Sequence, residues 1–366
     1  MKIKTITCHN VYNFGASLQA YALMTYLTSQ GHQVEIIDYM PDYIRKNLSL
    51  WAIGPKWNRN IFIKCAFYCY VIPIRIMQSK SRKKFDKYTR KYLHLTQRYN
   101  SFQELLNNPP EADIYFCGSD QIWNEKITGE TSLYYGANYE SCPIKISYAA
   151  SFGSNKLTLF ETKCVKEYLT DFQAISLREK DCLTDVARLT GKDAKLVLDP
   201  VFLLDVNFWT NFASRAKYKI KEKYILYYSL KEDRELIAQT RKLSEQTNCT
   251  VLCIHPTCSN LHVGWKQLHT VGPYEFVSLI KNAESIATNS FHAIAFSIIF
   301  EKKTLYKSFS KTDNRVESLL KSLNASHLNK NGLYDFSAKD ERNIENYLNE
   351  SKKFLMNALG NNTENV

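Results

Sequence analysis

Ile286-Ala-Thr-Asn-Ser-Phe-His-Ala-Ile-Ala-Phe-Ser-Ile-Ile-Phe300 places a short polar hinge, Thr288-Asn289-Ser290, between an apolar segment that begins near Glu284 and a solidly apolar run. The run from His292 to Phe300 is too short and too hydrophobic for a surface helix, so it is expected inside the molecule. Ser290 or Asn289 can cap that helix by accepting from its first free amides. His292 then falls in the first turn, where free N–H groups and the helix dipole favour a bound anion. An imidazole there can donate to a phosphate or carboxylate, or shuttle a proton near neutral pH. The same residues also fit a plain capping turn around a packed histidine.

Working outward, the same rhythm of strand, polar turn and helix recurs on both sides. Met1–Cys8 reads as a first strand, His9–Leu23 leads into a helix to about Gln30, and Val34–Asp38 is the next strand. That is a β-loop-α-β unit, the opening of a doubly wound sheet, with Asn13 and Gly15 at the handover where ligands bind. Buried strands follow at 112–117, 146–150, 174–177 and 194–198, and Asp199-Pro200 reads as a hinge. The second half repeats the rhythm: strands at 224–228, 251–254, 284–287 and 305–306, helices at 234–245 and 274–280, then mainly helix. The fold class expected is α/β, two Rossmann-like domains facing a cleft in a GT-B-like arrangement. The domains are 1–200, with an aromatic and basic helical insertion at about 43–99, then 201–340. A C-terminal helix in 341–366 is placed to return to the first domain. With 366 residues, two cores are the prior. No G-x-G-x-x-G or G-x-x-x-x-G-K-[ST] motif is present, which disfavours dinucleotide and P-loop chemistry.

The formal net charge of +12 favours anionic partners, whether phosphorylated substrates, nucleic acid or an anionic membrane. No RNP, KH or zinc-knuckle pattern supports nucleic acid. Ten cysteines form no C-x-x-C pair and fit a reducing cytosol. Cys249, Cys253, His255 and Cys258 have conceivable metal spacing, but Val251–Ile254 reads as a buried strand, so no metal is expected. Met1–Cys8 is too short and polar for a leader. Ile61–Met77 carries Lys64, Arg75 and Pro73, and falls short of the ~20 clean apolar residues of a span. With Trp57 before it and Lys80-Ser-Arg-Lys-Lys84 after it, this stretch resembles an amphipathic arm suited to an anionic bilayer. It equally fits a packed helix with a solvated basic face. The expected location is cytoplasmic, peripheral at the inner membrane face.

Two strand ends hold further candidates. Gly118-Ser-Asp-Gln-Ile-Trp-Asn124 offers Asp120 as acid or base, Gln121 and Asn124 for sugar hydroxyls, and Trp123 for a sugar face; an Asx-type turn with a buried tryptophan is the bland reading. Arg178-Glu179 offers an anion clamp and a carboxylate to orient it, against the alternative of a surface ion pair.

Taken in order, Asn13-Phe-Gly-Ala-Ser-Leu-Gln-Ala-Tyr-Ala-Leu23, Gly118–Asn124, Tyr148-Ala-Ala-Ser-Phe-Gly153, Ser176-Leu-Arg-Glu179, Leu198-Asp-Pro-Val-Phe-Leu-Leu204 and Thr288-Asn-Ser-Phe-His292 resemble the polysaccharide pyruvyl transferase family. Each is weak alone; six in the family's order are specific. The resemblance implies transfer of the enolpyruvyl group of phosphoenolpyruvate, the donor substrate, onto sugar hydroxyls as a pyruvate ketal, with no cofactor. The implied acceptor is a capsular or exopolysaccharide repeat unit on a polyprenyl diphosphate. It also implies His292 and Asp120 as catalytic residues. Arg178, Glu179, Asn13, Gly15, Gln19, Gln121, Asn124, Ser290 and Asn289 are the implied substrate-binding residues. Ser290 stands where some members have arginine, so Lys281, Lys302 or Lys303 would supply that cation. A GT-B glycosyltransferase using a nucleotide sugar, or a non-catalytic scaffold of polysaccharide assembly, are the alternatives.

Overall fold

The computed structural model describes residues 1–366 apart from 43, 46–48, 50, 55–56, 130, 137–143, 219, 255–263, 309–313 and 361–366. His255 and Cys258 therefore lie outside the described residues.

Short strands that are apolar on both faces dictate the architecture. Ile114–Cys117 (β4) and Tyr224–Tyr228 (β8) are buried along their whole length, as parallel strands are when helices cover both sides of a sheet. The first sheet runs β3 (Leu95–Tyr99), β2 (Gln33–Tyr39), β1 (Lys2–Ile6), β4 and β5 (Ile144–Ser147), all parallel. A parallel pair, β6 (Ile175–Leu177) and β7 (Ala194–Leu196), extends it through single bridges from Ile146 to Ala174 and from Ala150 to Leu177. The second sheet runs β10 (Lys266–Gln267), β9 (Thr250–Ile254), β8, β11 (Ser285–Thr288), β12 (Lys303–Tyr306), β14 (Leu333–Asp335) and β13 (Asn329–Lys330). Its last two strands pair antiparallel. This is the expected α/β pattern of two Rossmann-like halves.

Two features depart from the sequence reading. The stretch 43–99 ends in a strand, β3, which belongs to the first sheet. The region after Tyr306 is not mainly helical at first, because β13 and β14 turn back onto β12. Strands of two or three residues carry no readable alternation, and β3 has only one buried residue to announce it.

The halves meet through the helix Phe14–Ser29. Asn13 caps it by accepting from the Ala16 amide at 3.1 Å. Phe14 stacks on Phe276 with ring centres 4.4 Å apart and planes 2° from parallel, and meets Tyr228 edge-on. Trp209 packs edge-on against Phe296 of the helix Phe291–Ile299, so one apolar core runs through both halves. The helix Glu341–Ala358 lies against the first half. Its Ser351 hydroxyl accepts from the Leu198 amide, its Ala358 carbonyl accepts from Gln173, and Phe354 faces Tyr148.

The helix Ile61–Tyr92 is 32 residues long and capped by Asn60. Its last turns pack: Phe85 and Tyr88 are buried, and Lys84 pairs with Glu275 at 2.5 Å. Its first half has no buried residue at all.

Phe14→Ala removes the ring that joins the two halves. It should cost about 3–5 kcal/mol, the usual range for a buried phenylalanine, read as a lower midpoint in urea unfolding.

Candidate functional site

Residues just beyond the carboxyl ends of β4, β6 and β7 in the first half and of β11 in the second meet at the first turn of the helix Phe14–Ser29. After β7 the chain reaches Asp199, fully buried, whose Oδ2 accepts from Arg178 Nη1 at 2.8 Å and from the Ser119 hydroxyl at 3.2 Å. Its Oδ1 accepts from the Val201 amide at 3.1 Å. From the second half, His292 Nε2 approaches the same Oδ2 at 3.5 Å. One carboxylate thus gathers an arginine, a hydroxyl and an amide from the first half and an imidazole from the second. Burial alone would raise its pKa, but His292 and Arg178 outweigh that and hold it well below the ordinary carboxylate range.

Arg178 comes from the end of β6 and its side chain is 1% exposed. Its second pairing is Nη2 to Asp120 at 3.3 Å, and the face of its guanidinium lies 4.3 Å from the centre of the Phe291 ring. Burial would weaken its hold on the proton, yet Asp199, Asp120 and Glu179 raise it above the usual arginine value. Asp120 sits beyond β4 with a left-handed φ of 72°, bridges to Ala150, and keeps 17% of its side chain exposed. It is the one member of this network that opens partly to solvent. Cys8 beside it is no ready nucleophile, because burial and the Asp120 charge push its thiol up to about 12.

His292 is placed by the close approach of its ring to the backbone of Gly15. A Cβ on Gly15 would fall 2.0 Å from His292 Nδ1, so the imidazole lies directly on the glycine Cα. Gly15 is in the first turn of one helix and His292 in the first turn of another, so two helix N-termini converge there. Their first-turn amides and dipoles make a local positive field.

A family model for polysaccharide pyruvyl transferases matches residues 13–308 of this chain. The chain belongs to that family. No curated protein matches it. Solved structures similar to it include a UDP-GlcNAc 2-epimerase from Neisseria meningitidis bound to UDP-GlcNAc, 10% identical, covering 98% of this chain and 100% of that one, with a TM-score of 0.49. The UDP-GlcNAc 2-epimerase from Methanocaldococcus jannaschii in complex with UDP-GlcNAc and UDP is 12% identical over 96% and 100%, with the same TM-score of 0.49. Heptosyltransferase WaaC of E. coli with ADP-2-deoxy-2-fluoro heptose is 10% identical over 88% and 99%, at 0.39.

In this pyruvyl transferase family member, His292, Arg178, Asp120 and Gly15 come together, and several other expected site residues are spent on the scaffold. Arg178 is no free clamp: buried and doubly paired, it holds the site together. Glu179 does not orient Arg178 by a direct bond. Its Oε1 accepts from the Ser151 hydroxyl at 2.7 Å and the amides of Phe152 and Gly153, which fixes the turn after β5. Burial, offset by Arg178, Ser151, Arg315 and the Gly153 amide, leaves its pKa raised. Gln19 is fully buried and donates to Thr7 and to the Ala16 carbonyl. Asn289 ties the loop after β8, accepting from the Leu230 amide and donating to Ser229 and the Lys231 carbonyl. Ser290 occupies the N-cap position without a side-chain cap bond. Asn13 serves as a cap, and Asn124 caps the next short helix while donating to Gln121 at 2.7 Å. Trp123 is fully buried, stacked on Tyr135 with its indole N–H given to the Tyr134 carbonyl, so it presents no ring face to a sugar. Lys302 precedes β12 and Lys303 opens it, at the amino ends of the strands, whereas His292 lies beyond the carboxyl end of the neighbouring β11; Lys281 lies in the last turn of the helix Pro273–Asn282 before β11. Lys302 is bound to the Ala283 carbonyl, and Lys303 pairs with Asp335.

The residue that sequence reasoning missed is Asp199, taken there as part of a hinge. A usable signal was present: Asp199, like Asp120 and Arg178, is a charged residue just beyond an apolar strand.

Asp199→Asn leaves Arg178 buried beside a neutral amide, and should cost about 3–5 kcal/mol, measured by denaturant titration at neutral pH. Because the folded pKa of Asp199 is depressed below its unfolded value of 3.8, its stabilisation is fully present above that value and is lost as pH falls below it. The gap between wild type and Asp199→Asn should therefore stay constant through mildly acidic pH and close only in strong acid.

Proposed function

We propose that the cleft transfers the enolpyruvyl group of phosphoenolpyruvate to a sugar of a surface-polysaccharide repeat unit, on a lipid-linked acceptor, forming a pyruvate ketal. The observation that carries this reading is the His292–Asp199–Arg178 network at two convergent helix N-termini, with Asp120 open beside it. Phosphoenolpyruvate is a small, highly charged anion, and free helix amides suit its phosphate and carboxylate.

The reaction needs an acid for the donor's methylene carbon, a base for the attacking hydroxyl, and stabilisation of the departing phosphate. Protonation of the methylene makes an oxocarbenium-like centre at the adjacent carbon. One sugar hydroxyl attacks that carbon and gives up its proton. The carbon–oxygen bond to phosphate breaks, inorganic phosphate leaves, and a second hydroxyl closes the ketal. His292, held by Asp199 against Gly15, is suited to proton transfer at the donor. Asp120, partly open to solvent and beside Arg178, is suited to take the acceptor proton. Arg178 positions both carboxylates without touching substrate.

With phosphoenolpyruvate and a membrane fraction carrying lipid-linked oligosaccharides, phosphate release should match a pyruvyl mass gain on the glycan. His292→Asn and Asp120→Asn should each lower kcat by roughly 10²–10⁴. Near-wild-type turnover in both would place the chemistry elsewhere. Stabilisation by a nucleotide sugar, with none by phosphoenolpyruvate, would overturn the reaction itself.

A further inference from the structure

From Ile61 to Met77 the helix Ile61–Tyr92 is apolar nearly all round, interrupted only by Lys64 and Arg75, and no residue in that stretch is buried. Phe62 is 83% exposed, and Ile61, Tyr70 and Ile76 each more than half. A helix that is hydrophobic on every side and uncovered by its own protein needs another apolar medium. Among the described residues it is the one helix long and apolar enough to cross a membrane by length and composition.

The topology rules out a single pass. The segment between β2 and β3 leaves and re-enters one sheet at adjacent strands, so both its ends are fixed on the same side. The incoming chain also runs back along the helix: the Tyr68 hydroxyl donates to the Trp51 carbonyl at 3.0 Å, Trp51 faces Tyr68, and Trp57 stacks on Phe67. That incoming chain is irregular at Ala52, Ile53 and Gly54, and irregular backbone is not tolerated in the hydrocarbon region of a bilayer. Tryptophans beside an apolar helix are instead what the headgroup boundary favours.

Charge identifies the occupant. Where the apolar stretch ends, Lys80, Arg82, Lys83, Lys84, Lys87 and Lys91 follow on the same helix. Lys84, Lys87 and Lys91 join Arg215 and Lys217 around a cavity of about 740 Å³ at the foot of the arm. A second copy of this chain would bring like charges together; an anionic lipid surface would not. The foot also touches the cleft: Tyr12, next to Asn13, donates to Asp86 at 3.2 Å and lies under Arg82.

We infer that Ile61–Met77, with Trp51 and Trp57 beside it, is a monotopic membrane anchor, embedded in the headgroup boundary of an anionic bilayer without spanning it, with Lys80, Lys83 and Lys87 on the lipid phosphates. Its docking does not depend on which reaction the cleft performs, and it would bring the cleft rim to the membrane surface.

The test is flotation of the full chain with phosphatidylcholine vesicles, with or without phosphatidylglycerol, for wild type and two variants. One variant carries Phe62→Glu and Tyr70→Glu; the other carries Lys80→Glu, Lys83→Glu and Lys87→Glu. All five positions are exposed, and each variant is checked for an unchanged melting temperature. Wild type should float with the phosphatidylglycerol vesicles at least tenfold better than either variant, and tryptophan emission should shift to the blue on vesicle binding only for wild type. Failure of wild type to float, or flotation unchanged in both variants, would overturn the inference. So would a dimer in solution that Phe62→Glu with Tyr70→Glu dissolves while vesicle binding is absent. A protease site placed after Trp57 should be cut from the outer face of bound vesicles; protection there would mean that the arm crosses the bilayer.

Discussion

A single buried carboxylate, that of Asp199, holds the centre of this protein together. Leaving water costs an anion several kcal/mol unless its lone pairs are met. Here they are met by Arg178, Ser119 and the Val201 amide, with His292 closing from the other half. Arg178 is equally expensive to bury, and it is compensated twice over, by Asp199 and Asp120, with Phe291 beneath it. Each group would be intolerable alone, so together they fix the strand ends of the first half, and Phe291 and His292 of the second half pack against them. Gly15 completes the constraint, since any side chain there would drive His292 away from Asp199.

Two kinds of polar residue surround this centre, and their separation is a matter of spent capacity. Asn289 and Asn124 use their amides on loops and helix starts, while Gln19 and Glu179 each give one end to the scaffold and keep a buried oxygen without a hydrogen bond. They determine where the strand ends point. Asp120 retains exposure, and His292 sits where two helices offer unsatisfied amides. A rigid, pre-paired interior with a small open margin is what electrostatic catalysis requires, because dipoles already in place need no reorganisation during the reaction.

The long helix after β2 divides the molecule's apolar surface differently. Its last turns join the common core through Phe85 and Tyr88 and reach the second half through Lys84 and Glu275. Its first turns leave comparable apolar side chains in the open. The highly charged second half is the packed one and the apolar first half is the uncovered one, so neighbours rather than composition decide which part of this helix is covered.

The amino-acid sequence by itself determined the alternation of apolar strands and helices, the two-sheet division, the burial of the helix beginning at Phe291, and the family. These follow from local periodicity and from ordered short motifs, which need no knowledge of distant contacts. It also singled out His292, Asp120 and Gly15 at strand ends, since a strand end is visible in one dimension. Tertiary structure alone decided that Arg178 is paired rather than free, that Asp199 is the hub rather than a hinge, and that Trp123 is sealed inside. It alone decided that Lys302 and Lys303 stand at the amino ends of the strands, away from His292, and that β13 and β14 form. Each of those outcomes depends on which partner lies across a sheet or a domain boundary, at separations such as 93 residues between Asp199 and His292 (292 minus 199). The physical reason is that charge and burial are properties of a neighbourhood, and a chain's neighbourhood exists only once it has folded.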